Sequence, residues 1–190
     1  MTLVLLDTCS YLRFAKRIRP MLGVKFGQKE YEITILPEIE KEVLRSSRLK
    51  HNFPWFLSDK EIASERLSKQ LKFSKEEKQA LDNATSIIYN WVLMNAKNYK
   101  TPPSPTDCKV LALGQIRSAI VVTDDLSMHT LAREFEIPIL HGYELLKKML
   151  TAKLVDKDLV KEIYLALETN SDLPRTWVEN KDKTFGRIFK

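Results

Sequence analysis

The chain has 190 residues, 44% of them hydrophobic, and its 31 Lys and Arg against 25 Asp and Glu leave a formal net charge of +6. That is apolar material for one core, and the basic balance favours a polyanionic partner such as nucleic acid. No run approaches the roughly 20 apolar residues of a membrane span, and the opening MTLVLLD meets an aspartate too early for a signal-peptide core, so a cytoplasmic protein is expected.

Taken in chain order, TLVLL before Asp7 is a short continuous apolar run and reads as a buried strand. A helix follows, with Ser10 as its expected cap and Leu12, Ala15 and Ile18 on one face. YEITIL at 31–36 makes a second strand, and Pro37 suits the first turn of a helix that turns Ile39, Val43 and Leu44 inward. Residues 51–99 interrupt this rhythm with two capping-box signatures, Ser58 with Glu61 and Ser74 with Glu77. In the second stretch Leu81, Ala84, Ile88, Trp91 and Val92 recur at helical spacing and are expected to pack on the core.

The Pro-rich KTPPSPT at 100–106 is extended and delivers the chain to Asp107. Alternation then resumes: VLAL at 110–113 on a helix, AIVV at 119–122 as a strand, Leu126 to Phe135 as a helix, IPIL at 137–140 as a strand, then the helix YELLKKML. Parallel strands joined by crossover helices account for it. A helix near 156–168 buries Leu159, Ile163 and Leu167, and the rest is read as a basic, mixed tail.

The acids fall where an open α/β sheet binds its ligands, outside the carboxyl ends of the strands. Asp7 closes the first strand, Asp124 and Asp125 close AIVVT, and Asp107 opens the helix before that strand. Glu42, between Ile39 and Val43, leans toward the apolar face of its helix. Each alone is most simply a turn former, a helix cap or a surface acid. Gathered together they need cations, and oxygen donors suit Mg²⁺ or Mn²⁺.

These segments resemble the motifs of the PIN-domain family. LVLLDTCSYL is similar to its first motif, LPEIEKEVLR to its second, and SPTDCKVLALGQIRSAIVVTDDLSMHTLAREFEIPIL to its third and fourth together. The resemblance covers about 1–45 and 104–150 and implies a three-layer α/β/α fold with a central, mostly parallel sheet. Residues 46–103 then form a helical insert within a domain of residues 1–150, followed by a C-terminal helix and basic tail over 151–190. The insert and tail depart from the compact family pattern.

By position, Asp7, Glu42, Asp107 and Asp125 match the family's four catalytic acids, with Glu38 as a rival for the second. Asp7, Asp107, Asp124 and Asp125 are expected to hold metal, and Thr8, Ser10 and Thr123 to orient carboxylates through their hydroxyls. The activity implied is metal-dependent hydrolysis of RNA, single-stranded or looped, although some relatives act on DNA. Many relatives are toxins, which implies a small antitoxin as partner, and homodimers are frequent among them.

Arg13, Lys16, Arg17 and Arg19 on the first helix, and Lys41, Arg45 and Arg48 around the second motif, are candidates for gripping RNA phosphates. Cys9 and Cys108 have no zinc-ligand spacing or histidine motif and read as small buried residues; the histidines are assigned no role. A haloacid-dehalogenase-type phosphohydrolase would need an acid two residues after Asp7, where Cys9 stands. A noncatalytic PIN-like scaffold binding RNA or protein is the rival from another class.

Overall fold

The computed structural model describes residues 1–189. Strand β1 (Thr2–Leu6) and helix α1 (Thr8–Ala15) are followed by β2 (Lys25–Phe26), β3 (Tyr31–Ile35) and α2 (Glu38–Arg45). Four helices come next: α3 (Ser47–Asn52), α4 (Trp55–Ser58), α5 (Lys60–Ser68) and the long α6 (Lys75–Met94), closed by a 3-10 turn at Ala96–Asn98. The alternation returns with α7 (Pro105–Ile116), β4 (Ile120–Val122), α8 (Leu126–Glu134), β5 (Ile139–Leu140) and α9 (Gly142–Thr151). Helices α10 (Lys157–Thr169) and α11 (Arg175–Phe189) end the described chain.

The five strands form one sheet in the order β2-β3-β1-β4-β5, parallel except for the short β2, which pairs antiparallel with β3. β1 sits in the centre and is apolar on both faces, as a doubly covered parallel strand must be. Its alternation divides the molecule. Val4 and Leu6 join Ile33, Ile35 and Val122 in a core covered by α1, α2, α9, α10 and α11, whereas Leu5 joins Val121 in a core covered by α6, α7 and α8. The architecture is therefore a three-layer α/β/α sandwich. Burying each of these large side chains contributes about 1.5–3 kcal/mol. No helix among the described residues is long and apolar enough to cross a membrane.

Local chemistry shifts several expected features. Asp7, not Ser10, caps α1, because the carboxylate reaches the Ser10 N–H from an extended backbone. Asp59 caps α5, while Ser58 ends α4 and donates to the Pro54 carbonyl; Ser74 caps α6 as its box implies. Leu44 is 47% exposed, since Ile39 and Val43 complete the buried face of so short a helix. Trp91 is 40% exposed and packs its edge against Phe135.

The largest departure is at the end of the chain. The expected tail is a regular helix, α11, that lays Trp177, Phe185 and Ile188 into the same core as Val4 and Leu6. Helix α7, which carries Asp107, approaches the sheet closely because Gly114 has no side chain: a Cβ there would stand 2.6 Å from Val121 Cγ2.

Candidate functional site

The carboxyl ends of β1 and β4 are held together beyond their last paired residues, with the Asp7 N–H donating to the Val122 carbonyl. Asp7 is 7% exposed. Its Oδ1 accepts from the Ser10 N–H at 2.6 Å, and its Oδ2 accepts a short hydrogen bond from the Thr123 hydroxyl. Thr123 Oγ1 in turn accepts the Asp125 N–H at 3.1 Å, so one fully buried hydroxyl ties the end of β1 to the start of α8. Burial pushes the Asp7 carboxyl up to about 6, despite the opposing hydrogen bonds from Thr123 and Ser10 and the charge of Arg13.

Glu42 is brought to this end by Thr8, whose hydroxyl donates to Glu42 Oε2 at 2.6 Å. Burial raises its carboxyl above the ordinary range, and the negative charge of Asp107 adds to the rise. Asp107 sits at the third position of α7 in a reciprocal capping box, accepting from the Ser104 N–H at 2.8 Å while the Ser104 hydroxyl accepts from the Asp107 N–H. Burial raises this carboxyl too, and Asp125 adds to the rise. Asp125 caps α8 by accepting from the Ser127 N–H at 2.7 Å. The four acids thus share one end of the sheet, Glu42 feeling Asp107 and Asp107 feeling Asp125.

Whether these residues fit a hard divalent ion turns on donors and on spacing. Among the described residues nothing donates to Glu42 Oε1, Asp107 Oδ1 or Asp125 Oδ2, so each acid keeps a free oxygen of the kind Mg²⁺ or Mn²⁺ takes. The donor chemistry fits. The spacing is open, since among those residues no group of three His, Cys, Asp or Glu is already drawn together around an ion position.

Asp124, expected among the metal ligands, has its carboxylate engaged by groups of the surrounding helices. Its side chain is 4% exposed and accepts from Arg13 Nη1 at 3.0 Å, Trp177 Nε1 at 2.9 Å and the Gly142 N–H at 3.1 Å. Burial alone would push the carboxyl up; the nearby His141 ring, the Arg13 charge and the Gly142 and Trp177 donors outweigh it and hold the carboxyl below its ordinary range. Gly142 is required there, because a Cβ would stand 2.7 Å from Trp177 Cζ2.

Arg13 also faces a second acid: its remaining guanidinium nitrogens make a paired contact with Asp172 at 3.0 and 3.1 Å. Arg17 lies against Glu162 at 3.4 Å, and Arg19 pairs with Asp59 at 2.6 Å. The cations Arg13 on α1, and Arg17 and Arg19 just after it, therefore knit the helices together. Those of α2 do not: Lys41 and Arg45 are exposed, have no acidic partner among the described residues, and line a recess of about 320 Å³ with Glu42, Glu38, Ser46 and Thr106.

Glu38 is bound to Lys109 Nζ at 2.6 Å, and it is Glu42, not Glu38, that Thr8 engages. Ser10 meets Asp7 through its backbone N–H, at 2.6 Å. Cys108 is buried and Cys9 partly buried, and burial pushes both thiols up to about 12. Two features had no counterpart in the sequence reading. His129 and His141 stack with ring centres 3.9 Å apart, the His129 Nε2 lying 2.9 Å from the Thr123 carbonyl oxygen. Trp177 was legible, since it stands at helical spacing from Phe185 and Ile188.

No protein-family model matches the chain, and no curated protein matches its sequence. Among solved structures it is similar to the crystal structure of FitAcB from Neisseria gonorrhoeae, with 15% identity, a TM-score of 0.42, and coverage of 74% of this chain and 98% of that one. So distant a likeness carries no argument about function.

Proposed function

We propose that this chain is a PIN-like, divalent-metal-dependent nuclease that hydrolyses the phosphodiester backbone of RNA, with Asp7, Glu42, Asp107 and Asp125 as its acids. The observation that carries the reading is the shared position of these acids at the carboxyl end of a parallel sheet, where Glu42 is burdened by burial and by Asp107, and Asp107 by burial and by Asp125. Three carboxylates raised by burial at one end of the sheet, Asp7, Glu42 and Asp107, favour a cationic occupant.

Asp7, Asp107 and Asp125 would hold Mg²⁺ or Mn²⁺, with Glu42 oriented toward them by Thr8. When bound, such an ion supplies a water of lowered pKa and neutralises charge on the leaving oxygen. Thr123 fixes the Asp7 carboxylate against rotation while fixing the start of α8, so two acids are positioned by one hydroxyl. Lys41 and Arg45, flanking Glu42 on the exposed side of α2, would grip the phosphates next to the scissile bond. No nucleophilic side chain is required, in keeping with the high positions of both thiols.

A noncatalytic PIN-like scaffold is the second reading, favoured by the absence of any three acids already drawn together among the described residues. Cleavage separates the two. A labelled single-stranded RNA and a DNA of matching sequence are incubated with wild type and Asp7→Asn, in Mg²⁺, in Mn²⁺ and in EDTA. Metal-dependent cutting of RNA that the substitution abolishes is expected. Preferential cutting of DNA would move the reading to a DNA nuclease, and an inert wild type would favour the scaffold. The small antitoxin and the homodimer that the family resemblance implies are checked by co-purification and by solution mass.

A further inference from the structure

Along α9, α11 and the turn between β2 and β3, Lys29, Lys147, Lys148, Lys183 and Arg187 line neighbouring recesses and make no ion pair among the described residues. Glu30 beside Lys29 is paired with Lys25 and Glu179 on α11 with Arg175, and two further acids stand among the cations. Asp182 is exposed on α11, and Glu144 is turned inward to accept the His141 N–H at 2.8 Å.

Three recesses follow one another across this surface, of about 670, 330 and 500 Å³. Lys147 lines all three, Lys183 the first two and Lys148 the last two, so they form one continuous track. Aromatic rings alternate with the charges. Lys147 Nζ lies over the Phe185 ring and Lys148 Nζ over that of Tyr31, while Tyr143 and Tyr31 are half-buried with ring surface lining the recesses.

Direction follows from the topology. α9 begins at Gly142, beside Asp124 at the acidic end of the sheet, and runs back to the amino end of β3, where Ala152 meets Gly27. At 1.5 Å per residue that is a path of about 15 Å. Its upper end is Tyr143, stacked on His141.

We propose that this track is a second nucleic-acid surface, which holds a single strand leading away from the acidic end of the sheet. Unpaired cations supply the attraction for phosphate, and rings between them supply stacking faces that any base can use. The choice of nucleic acid over other polyanions rests partly on the nuclease reading, and binding measured in EDTA keeps the two apart.

The probe is a short fluorescein-labelled oligouridylate, followed by fluorescence anisotropy in EDTA over a series of salt concentrations. Lys147→Ala with Lys183→Ala is compared with Lys75→Ala with Lys78→Ala, a pair of exposed lysines on α6 that changes net charge equally. The track variant is expected to bind about tenfold more weakly and to lose roughly 1.4 from the slope of log affinity against log salt, about 0.7 for each phosphate contact. Tyr143→Ala should weaken binding further than Tyr143→Phe. Equal loss from both lysine pairs, or from neither, overturns the proposal. So does Lys147-dependent binding to phosphatidylserine vesicles that is tighter than binding to the oligonucleotide, which would make the track a membrane surface. Because no cleavage is involved, a protein that binds through the track yet cuts nothing sinks the nuclease reading alone.

Discussion

Asp7→Asn should make the protein more stable at neutral pH while removing the activity proposed for it. Asp7 is almost completely enclosed, and its folded-state pKa rises from 3.8 to about 6 because burial outweighs its hydrogen bonds. A raised acid binds its proton more tightly in the folded state, so between pH 4 and 6 the folded state carries more protons than the unfolded one and stability falls as pH rises. Above that window the charged carboxylate costs about 3 kcal/mol, at about 1.4 kcal/mol for each pH unit separating the two values. Asparagine removes the charge and keeps an acceptor for the Ser10 N–H and a polar group for Thr123. In urea unfolding in EDTA, the variant should therefore exceed wild type by up to about 3 kcal/mol at pH 7.5, and the difference should close toward zero near pH 4. A variant less stable than wild type at pH 7.5, or a difference independent of pH, would refute the reasoning.

Arg13→Gln removes the cation facing Asp124 and Asp172 and should cost about 3–5 kcal/mol in the same unfolding assay, because it strands a buried carboxylate. Gly142→Ala drives a methyl group into Trp177 and should cost about 1–3 kcal/mol, visible as a lowered Tm together with altered Trp177 fluorescence. Both cysteines should resist iodoacetamide at pH 8 in the native protein and react promptly in urea, since burial holds each thiol protonated; rapid native labelling followed by mass spectrometry would contradict this.

The layered fold was legible because its signals are local and repeated. Apolar runs of strand length, each followed by helical spacing, mark β1, β3 and β4, and the positions of the acids at strand ends followed from them. What the sequence concealed were choices between neighbours of the same type. Asp124 and Asp125 are chemically identical in the sequence; only the tertiary presence of Arg13, Trp177 and Gly142 turns the first toward the helices, while the second caps α8. Arg13 and Lys41 likewise read as equivalent cations, and the long-range Asp172 decides that one is internal. The two-residue β2 is too short for a periodic pattern, and α11 was obscured by its charges although its apolar residues keep helical spacing.

The last three residues of β1 are each committed to one of two cores, Val4 and Leu6 to one and Leu5 to the other, which leaves the strand no freedom to slide. Deleting a single residue between Thr2 and Leu6 would exchange those commitments and draw Asp7 back from Thr123. Hydrocarbon packing here acts as a ruler: the location of a charge is set by counting residues along an apolar strand, and its accuracy is that of the two cores gripping the strand on either side.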